Sequence, residues 1–284
     1  RQVFTSGTTA SINLAVAGFA RWEIGPSDEV WVSAMEHHSN WVPWQQAVKG
    51  MGASLKVIPL TPEGRLDLAA FRKGLAARDQ WQGHPLIGFS IAPHAPYTVS
   101  DAGFGRALAT ADELALPIHL HIHETSREIE DSLALHGVRP LTRLARLGVL
   151  GENLIGVHAV HLDDSDLELL AHYNCSVAHC PTSNMKLASG IAPVPRLRGA
   201  GLRVGLGTDG AASNNRLDIL QEMRLASLLA KGSSGRADAV GAHRALRMAT
   251  LNGARALALD KEIGSIEAGK SADLCAIKIN DSLL

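Results

Sequence analysis

The stretch HLHIHETSRE, residues 119–128, sets three histidines two apart and follows them at once with a glutamate. Imidazole binds transition metals and changes charge near neutral pH, so the stretch offers metal binding, proton transfer or both. Alternate side chains of an extended strand share a face, which would put His119, His121 and His123 together. One such histidine alone would read as a hydrogen-bonded member of a half-buried strand. Three in five residues, ending at Glu124, point instead to a ligand backed by a supporting histidine. Spacing does not say which of the three binds.

GLGTDG, residues 205–210, supplies a second candidate, Asp209. Its letters match GxGxxG, yet no βαβ unit frames them and AASNN separates them from the next helix, which argues against a dinucleotide turn. An aspartate among glycines at a strand end suits metal coordination or general-base work. His158 and His161 in VHAVHL lie three apart, so at most one is certain to face a common site. His172 and His179 read as structural. Neither HExxH nor the PCxxC half of a cytidine-deaminase signature occurs.

The elements that must position these residues alternate strand-like and helical runs, the pattern of βα units on a parallel sheet. VFT, EVWVSA and SLKVIPL read as early strands. From Leu86 onward LIGFSIAPHAP, PIHLHIHE, LIGVHAVHL, CSVAHCPTSN and LRVGLGTDG read as strands running into polar loops. His94, Glu124, His158, Asn184 and Asp209 then fall at or just past the C-terminal ends of successive strands. Side chains from such ends converge on one mouth in a (β/α) barrel, whereas an open doubly wound sheet gathers them mainly at its switch point. The barrel is the expected fold.

Composition narrows the ligand. With 27 basic and 28 acidic residues among 284, and a formal net charge of -1, nothing argues for nucleic acid or an anionic membrane. A small, near-neutral molecule is the default partner. No run reaches the roughly 18 to 20 apolar residues of a membrane span. Three cysteines without CxxC spacing fit a reducing compartment, so a cytoplasmic location is expected. Oligomeric state is open, a homo-oligomer included. Arg1 leads directly into an apolar strand and the chain stops just after another, so both ends read as cut.

Residues 85–280 resemble the amidohydrolase superfamily, and within it the deaminases of 5-methylthioadenosine and S-adenosylhomocysteine. APHAPYTVSD, HLHIHETSREIEDS, GVHAVHL, HCPTSNMKLASGIAPV, GLGTDGAASNNRLDILQEMRLASLLAK and ATLNGARALALDKEIGSIEAGKSADL carry the resemblance. It implies a metal-dependent (β/α)8 barrel that deaminates adenine nucleosides hydrolytically. His121 and Asp209 would bind Zn²⁺ or another divalent metal. Glu124, His158 and Asp209 would be catalytic, His94 and Glu124 would contact the nucleoside, and His119 and His123 would be supports. The superfamily's first strand carries an HxH pair that supplies two more ligands, and no HxH precedes His119 here.

Residues 1 to about 75 instead resemble class V aminotransferases of the SufS cysteine desulfurase type, through FTSGTTASINLAVAGF and DEVWVSAMEHHSNWVPWQQAVKGMGASLKVIPLTPEGRLDL. That likeness implies Thr8 and Thr9 at a pyridoxal phosphate and His37 stacked on its ring. Its Schiff-base lysine is missing, since Lys49 and Lys56 are outside the motif, so bound pyridoxal phosphate is not expected. His37 and His38 are adjacent and would point to opposite strand faces, so they do not restore an HxH. The expected organisation is a fusion: a class V fragment of a pyridoxal-phosphate transferase α/β fold over 1–78, then an incomplete deaminase barrel over 79–284 ending in a truncated β segment. Impaired activity follows from the missing ligands, and an inactive chimera or a transferase remnant are the alternatives.

Overall fold

The computed structural model describes residues 29–33, 48, 49, 52–58, 76, 79 and 88–274. Two of the early strands appear as expected, β1 (Glu29–Ser33) and β2 (Ser54–Ile58), paired in parallel with Glu29 opposite Ser54. Thr8, Thr9, His37, His38 and Cys275 lie outside the described residues.

Four further strands form one parallel sheet in chain order: β3 (Ile118–Ile122), β4 (Leu154–His158), β5 (Ser176–His179) and β6 (Arg203–Leu206). Helix α1 (Asp101–Leu114) precedes β3; α2 (Ser126–His136) and α3 (Pro140–Arg146) lead to β4, and α4 (Asp164–His172) leads to β5. Then come α5 (Pro181–Lys186) and α6 (Val194–Gly199) before β6, with α7 (Ala211–Asn214), α8 (Ile219–Ser234), α9 (Ala242–Ala249) and α10 (Leu251–Ala256) after it. Strand order follows sequence order without reversal, so the described sheet has no switch point and runs as a barrel wall does.

Two expectations need correction. LIGFSIAPHAP does not form a full strand among its described residues. Ile91 alone makes a parallel bridge, to Ile118, although the segment runs on beside β3 through His119 N–H to Ile91 O and His121 N–H to His94 O. Pro93 and Pro96 have no N–H to offer a ladder, which explains the interruption. CPTSN is likewise not a loop: Pro181, whose fixed φ suits a first helical position, opens α5 and places Asn184 inside it.

Alternation on β3 sets the working geometry. Ile118, Leu120 and Ile122 are buried on one face, in an apolar cluster with Phe104, Leu144, Leu170 and Leu197 from the helices. His119 and His121 therefore take the opposite face. Close packing continues at Gly156 on β4, where a Cβ would stand 2.3 Å from Ile122 Cδ1. Gly156→Ala should destabilise the fold by about 1 to 3 kcal/mol in urea titrations, the cost of overfilling a packed core. An unchanged midpoint would show that Ile122 has room to move. No helix among the described residues is long and apolar enough to cross a membrane.

Candidate active site

The sheet's C-terminal edge gathers His94, His121, Glu124, His158 and Asp209. The rings of His94 and His121 meet edge-on at 5.2 Å between centroids, and the rings of His121 and His158 stack at 5.2 Å. His158 Nε2 lies 3.9 Å from Glu124 Oε2 and 3.9 Å from Asp209 Oδ2. All five residues expected to act together are thus contiguous.

Backbone strain concentrates here. His123, His158 and Asp209 have φ of 50°, 74° and 58°, a region that side chains with a Cβ seldom adopt. Such conformations persist where the surrounding structure over-determines them, often at functional sites. At His123 the turn has a direct consequence: alternation fails, and the ring leaves the face shared by His119 and His121. It is fully buried, with Nδ1 on the His161 carbonyl at 3.1 Å and Nε2 accepting from Leu141 N–H at 3.1 Å. The expectation of three histidines on one face is corrected to two.

Hydrogen bonds fix each tautomer. A carbonyl can only accept, so His121 Nδ1, 2.6 Å from His94 O, carries a proton, and in the neutral ring Nε2 is the nitrogen with the lone pair. His158 Nδ1 donates to Asn184 Oδ1 at 2.8 Å, which turns an unprotonated Nε2 toward the two carboxylates. Burial holds the His158 pKa below its ordinary value, though Glu124 opposes this. Burial, joined by His121, also lowers His94 and His119. Two carboxylates facing an imidazole lone pair repel it unless a proton or cation lies between them.

Asp209 is fixed as an anion. Burial disfavours its charge, but Ser183 and Ser213 hydroxyls donate to Oδ2, each at 2.7 Å, and Gly210 N–H donates to Oδ1 at 2.7 Å. Together they hold the carboxyl below its usual range. Buried Glu222 anchors the surrounding loops, accepting from Thr182 N–H at 2.9 Å and Asn214 Nδ2 at 2.8 Å. On the other side Ser189 Oγ donates to Glu124 Oε1 at 3.1 Å, and His161 Nε2 donates to Ser189 O at 2.7 Å. His161 therefore acts behind the site. His179, buried beside His158, has its pKa pushed down to about 3 by burial and stays neutral. His172 sits on α4 with its ring edge-on to Tyr173.

Sequence reasoning missed Ser183, Ser189, Ser213 and Glu128. For Glu128 a signal existed, because Thr125-x-x-Glu128 before a helical run is a capping-box pattern. Thr125 does cap α2, accepting from Glu128 N–H. Burial pushes the Glu128 carboxyl up to about 7, against the backbone N–H groups of His123 and Glu124 that pull it down. A carboxyl that binds its proton more tightly folded than unfolded contributes stability that is present below its free pKa, and this is lost as pH rises through the folded value. Glu128→Gln should therefore flatten the decline in urea midpoint between pH 4.5 and about 7. A slope equal to that of the unsubstituted chain would refute this assignment.

A divalent metal fits the donor chemistry in part. His121 presents a lone-pair nitrogen oriented by a backbone carbonyl, the usual arrangement behind a metal-binding histidine, and Asp209 presents an ionised carboxylate. Among the described residues, however, no group of three or more His, Cys, Asp or Glu is placed to hold a metal ion.

This strand order and this edge cluster agree with the family comparison: the pattern of the Amidohydrolase family matches residues 45–283, and the chain belongs to that family. The Aminotransferase class-V pattern matches residues 1–81. A 5-methylthioadenosine/S-adenosylhomocysteine deaminase from Teredinibacter turnerae is 49% identical over 209 residues, 74% of this chain and 47% of the relative. A 5'-deoxyadenosine deaminase from Methanobrevibacter smithii is 45% identical over 192 residues, 68% of this chain and 44% of the relative. The chain spans about half the length of these curated relatives. A crystal structure of an adenosine deaminase from Xanthomonas campestris with bound zinc superposes with a TM-score of 0.74 at 39% identity, covering 95% of this chain and 61% of that one.

Proposed function

We propose that this chain carries the proton-transfer side of a metal-dependent hydrolytic deaminase acting on adenine nucleosides: 5-methylthioadenosine, S-adenosylhomocysteine or adenosine. The observation that carries the reading is the approach of His158 Nε2 to both Glu124 and Asp209 at 3.9 Å, beside the oriented His121. His121 and Asp209 would hold the metal. A zinc ion held there would make hydroxide available near neutral pH, because such an ion lowers the pKa of a bound water to about 7.

The chain's own groups account for the rest. Asp209, held as an anion, accepts a proton from the attacking water. His158 Nε2 accepts a hydrogen bond from the nucleophile and fixes its direction. Glu124 delivers a proton to the purine ring nitrogen next to the amino-bearing carbon, so the negative charge that attack would place on that nitrogen is neutralised. The amino group takes the proton held on Asp209 and leaves as ammonia, the hydroxyl on that carbon returns its proton to Glu124, and an inosine-type product remains. His94 and Tyr97, edge-on to each other at 5.8 Å at the exposed rim, form a contact surface for the nucleoside. Among the described residues no group of three or more donors is placed to hold a metal ion, so turnover is expected to need added zinc.

The match of residues 1–81 to class V aminotransferases favours a second reading, a fusion whose leading part is a transferase remnant. An ultraviolet assay of the purified chain with zinc on the three nucleosides separates the two. Loss of the adenine absorbance in favour of a hypoxanthine spectrum supports deamination. No turnover, or a yellow chromophore trapped on a lysine by borohydride, contradicts it.

A further inference from the structure

The Glu124 carboxyl stands beside His158 because the chain abandons strand geometry one residue earlier. Had β3 continued, His123 would have joined His119 and His121, and Glu124 would have pointed to the opposite face. The left-handed turn at His123 reverses this, in a conformation that costs any residue with a Cβ. It also removes the N–H groups of His123 and Glu124 from the sheet ladder, and buried N–H groups must find acceptors.

Both find the same one. His123 N–H donates to Glu128 Oε1 at 3.0 Å, and Glu124 N–H donates to Glu128 Oε2 at 2.9 Å. Glu128 is 4% exposed and is anchored in the first turn of α2, where its own N–H donates to Thr125 Oγ1 at 3.2 Å. In an ordinary capping box the glutamate reaches back to the N–H of the capping residue. Here it reaches one and two residues further, into the turn itself. From the other side, His123 O accepts from the N–H groups of Val160 and His161, so the turn is clamped at both its donors and its acceptor.

We propose that Glu128 is a positioning residue: its carboxylate caps the two N–H groups of the His123–Glu124 turn and so sets where the Glu124 carboxyl stands relative to His158. The proposal rests on Glu124 being the proton carrier of the deamination described above. A cap that served α2 alone would have no reason to engage both N–H groups before the helix, and the loss of such a cap would loosen the whole helix evenly.

Glu128→Gln in the full chain tests this, since an amide keeps one acceptor oxygen and replaces the other with a donor. Hydrogen exchange resolved by residue should show the Glu124 or His123 amide exchanging about five-fold faster or more, the loss expected for one hydrogen bond. Amides of β3 should stay unchanged. With 5-methylthioadenosine, kcat should fall about 10- to 100-fold, as when an orienting partner is removed, with KM little altered. Glu128→Asp, which keeps both oxygens one methylene short, makes the same comparison should the first variant not fold. Unchanged exchange at both amides, or equal acceleration throughout β3 and α2, would overturn the proposal. Exchange needs no turnover, so a chain inactive on every nucleoside sinks the deaminase reading alone.

Discussion

Glu124→Gln should lower kcat for adenine-nucleoside deamination by about 10²- to 10⁴-fold, the usual contribution of a positioned proton carrier, while leaving zinc content unchanged. The substitution is nearly isosteric. Ser189 Oγ can still donate to the side-chain oxygen, as it does to Oε1 at 3.1 Å. The backbone N–H of residue 124 stays on Glu128. What disappears is the proton that a carboxyl can release and recover, since the N–H protons of an amide are too weakly acidic to be passed on near neutral pH. KM should therefore move little, and the protein should melt close to the unsubstituted chain. A kcat within threefold of it would remove Glu124 from the chemistry and leave the 3.9 Å approach to His158 as an electrostatic contact.

Asp209→Asn should fail differently. Asparagine tolerates a φ of 58° better than most residues, so the backbone of the loop should survive. Its amide cannot reproduce the acceptor set, because Ser183 and Ser213 both donate to one oxygen and Gly210 N–H donates to the other. At least one of these donors will face an NH₂ group. If Asp209 is the anionic ligand proposed above, zinc affinity should also fall by more than the roughly 10- to 100-fold that removing a mere outer partner costs. Turnover should disappear with it. Zinc titrations on the two variants side by side separate the roles: Glu124→Gln should retain metal with strongly reduced turnover, and Asp209→Asn should lose both. If Asp209→Asn binds zinc as tightly as the unsubstituted chain, Asp209 is not a ligand.

Much of this site was legible because strand alternation is a rigid rule. It placed His119 and His121 on one face of β3, and the shared direction of the parallel strands carried His158, at the end of β4, and Asp209, past the end of β6, to the same edge of the sheet. What broke the rule could not be read from it. His123 leaves the shared face through a left-handed turn that costs any residue with a Cβ, and the carboxylate that accepts from the N–H groups of this turn arrives from the next helix. Asn184 reaches His158 from inside α5, whose start depends on Pro181 opening a helix where a polar loop was expected. Ser183, Ser189 and Ser213 carry no spacing signal at all, because a serine becomes informative only when the loop that holds it is folded against a carboxylate. The interrupted strand around Ile91 does have a signal in the sequence, because Pro93 and Pro96 offer no N–H to a ladder despite the apolar run before them.

The family and the fold follow from the sequence pattern and the parallel sheet, while the activity rests on the edge cluster. The most direct test of that activity is to run the reaction in H₂¹⁸O with zinc and 5-methylthioadenosine and to weigh the product. Hydrolytic deamination at this site predicts release of one ammonia and an inosine-type product bearing a single ¹⁸O on the ring carbon that carried the amino group. Substrate recovered intact at saturating zinc, or adenine released with its amino group in place, would contradict it.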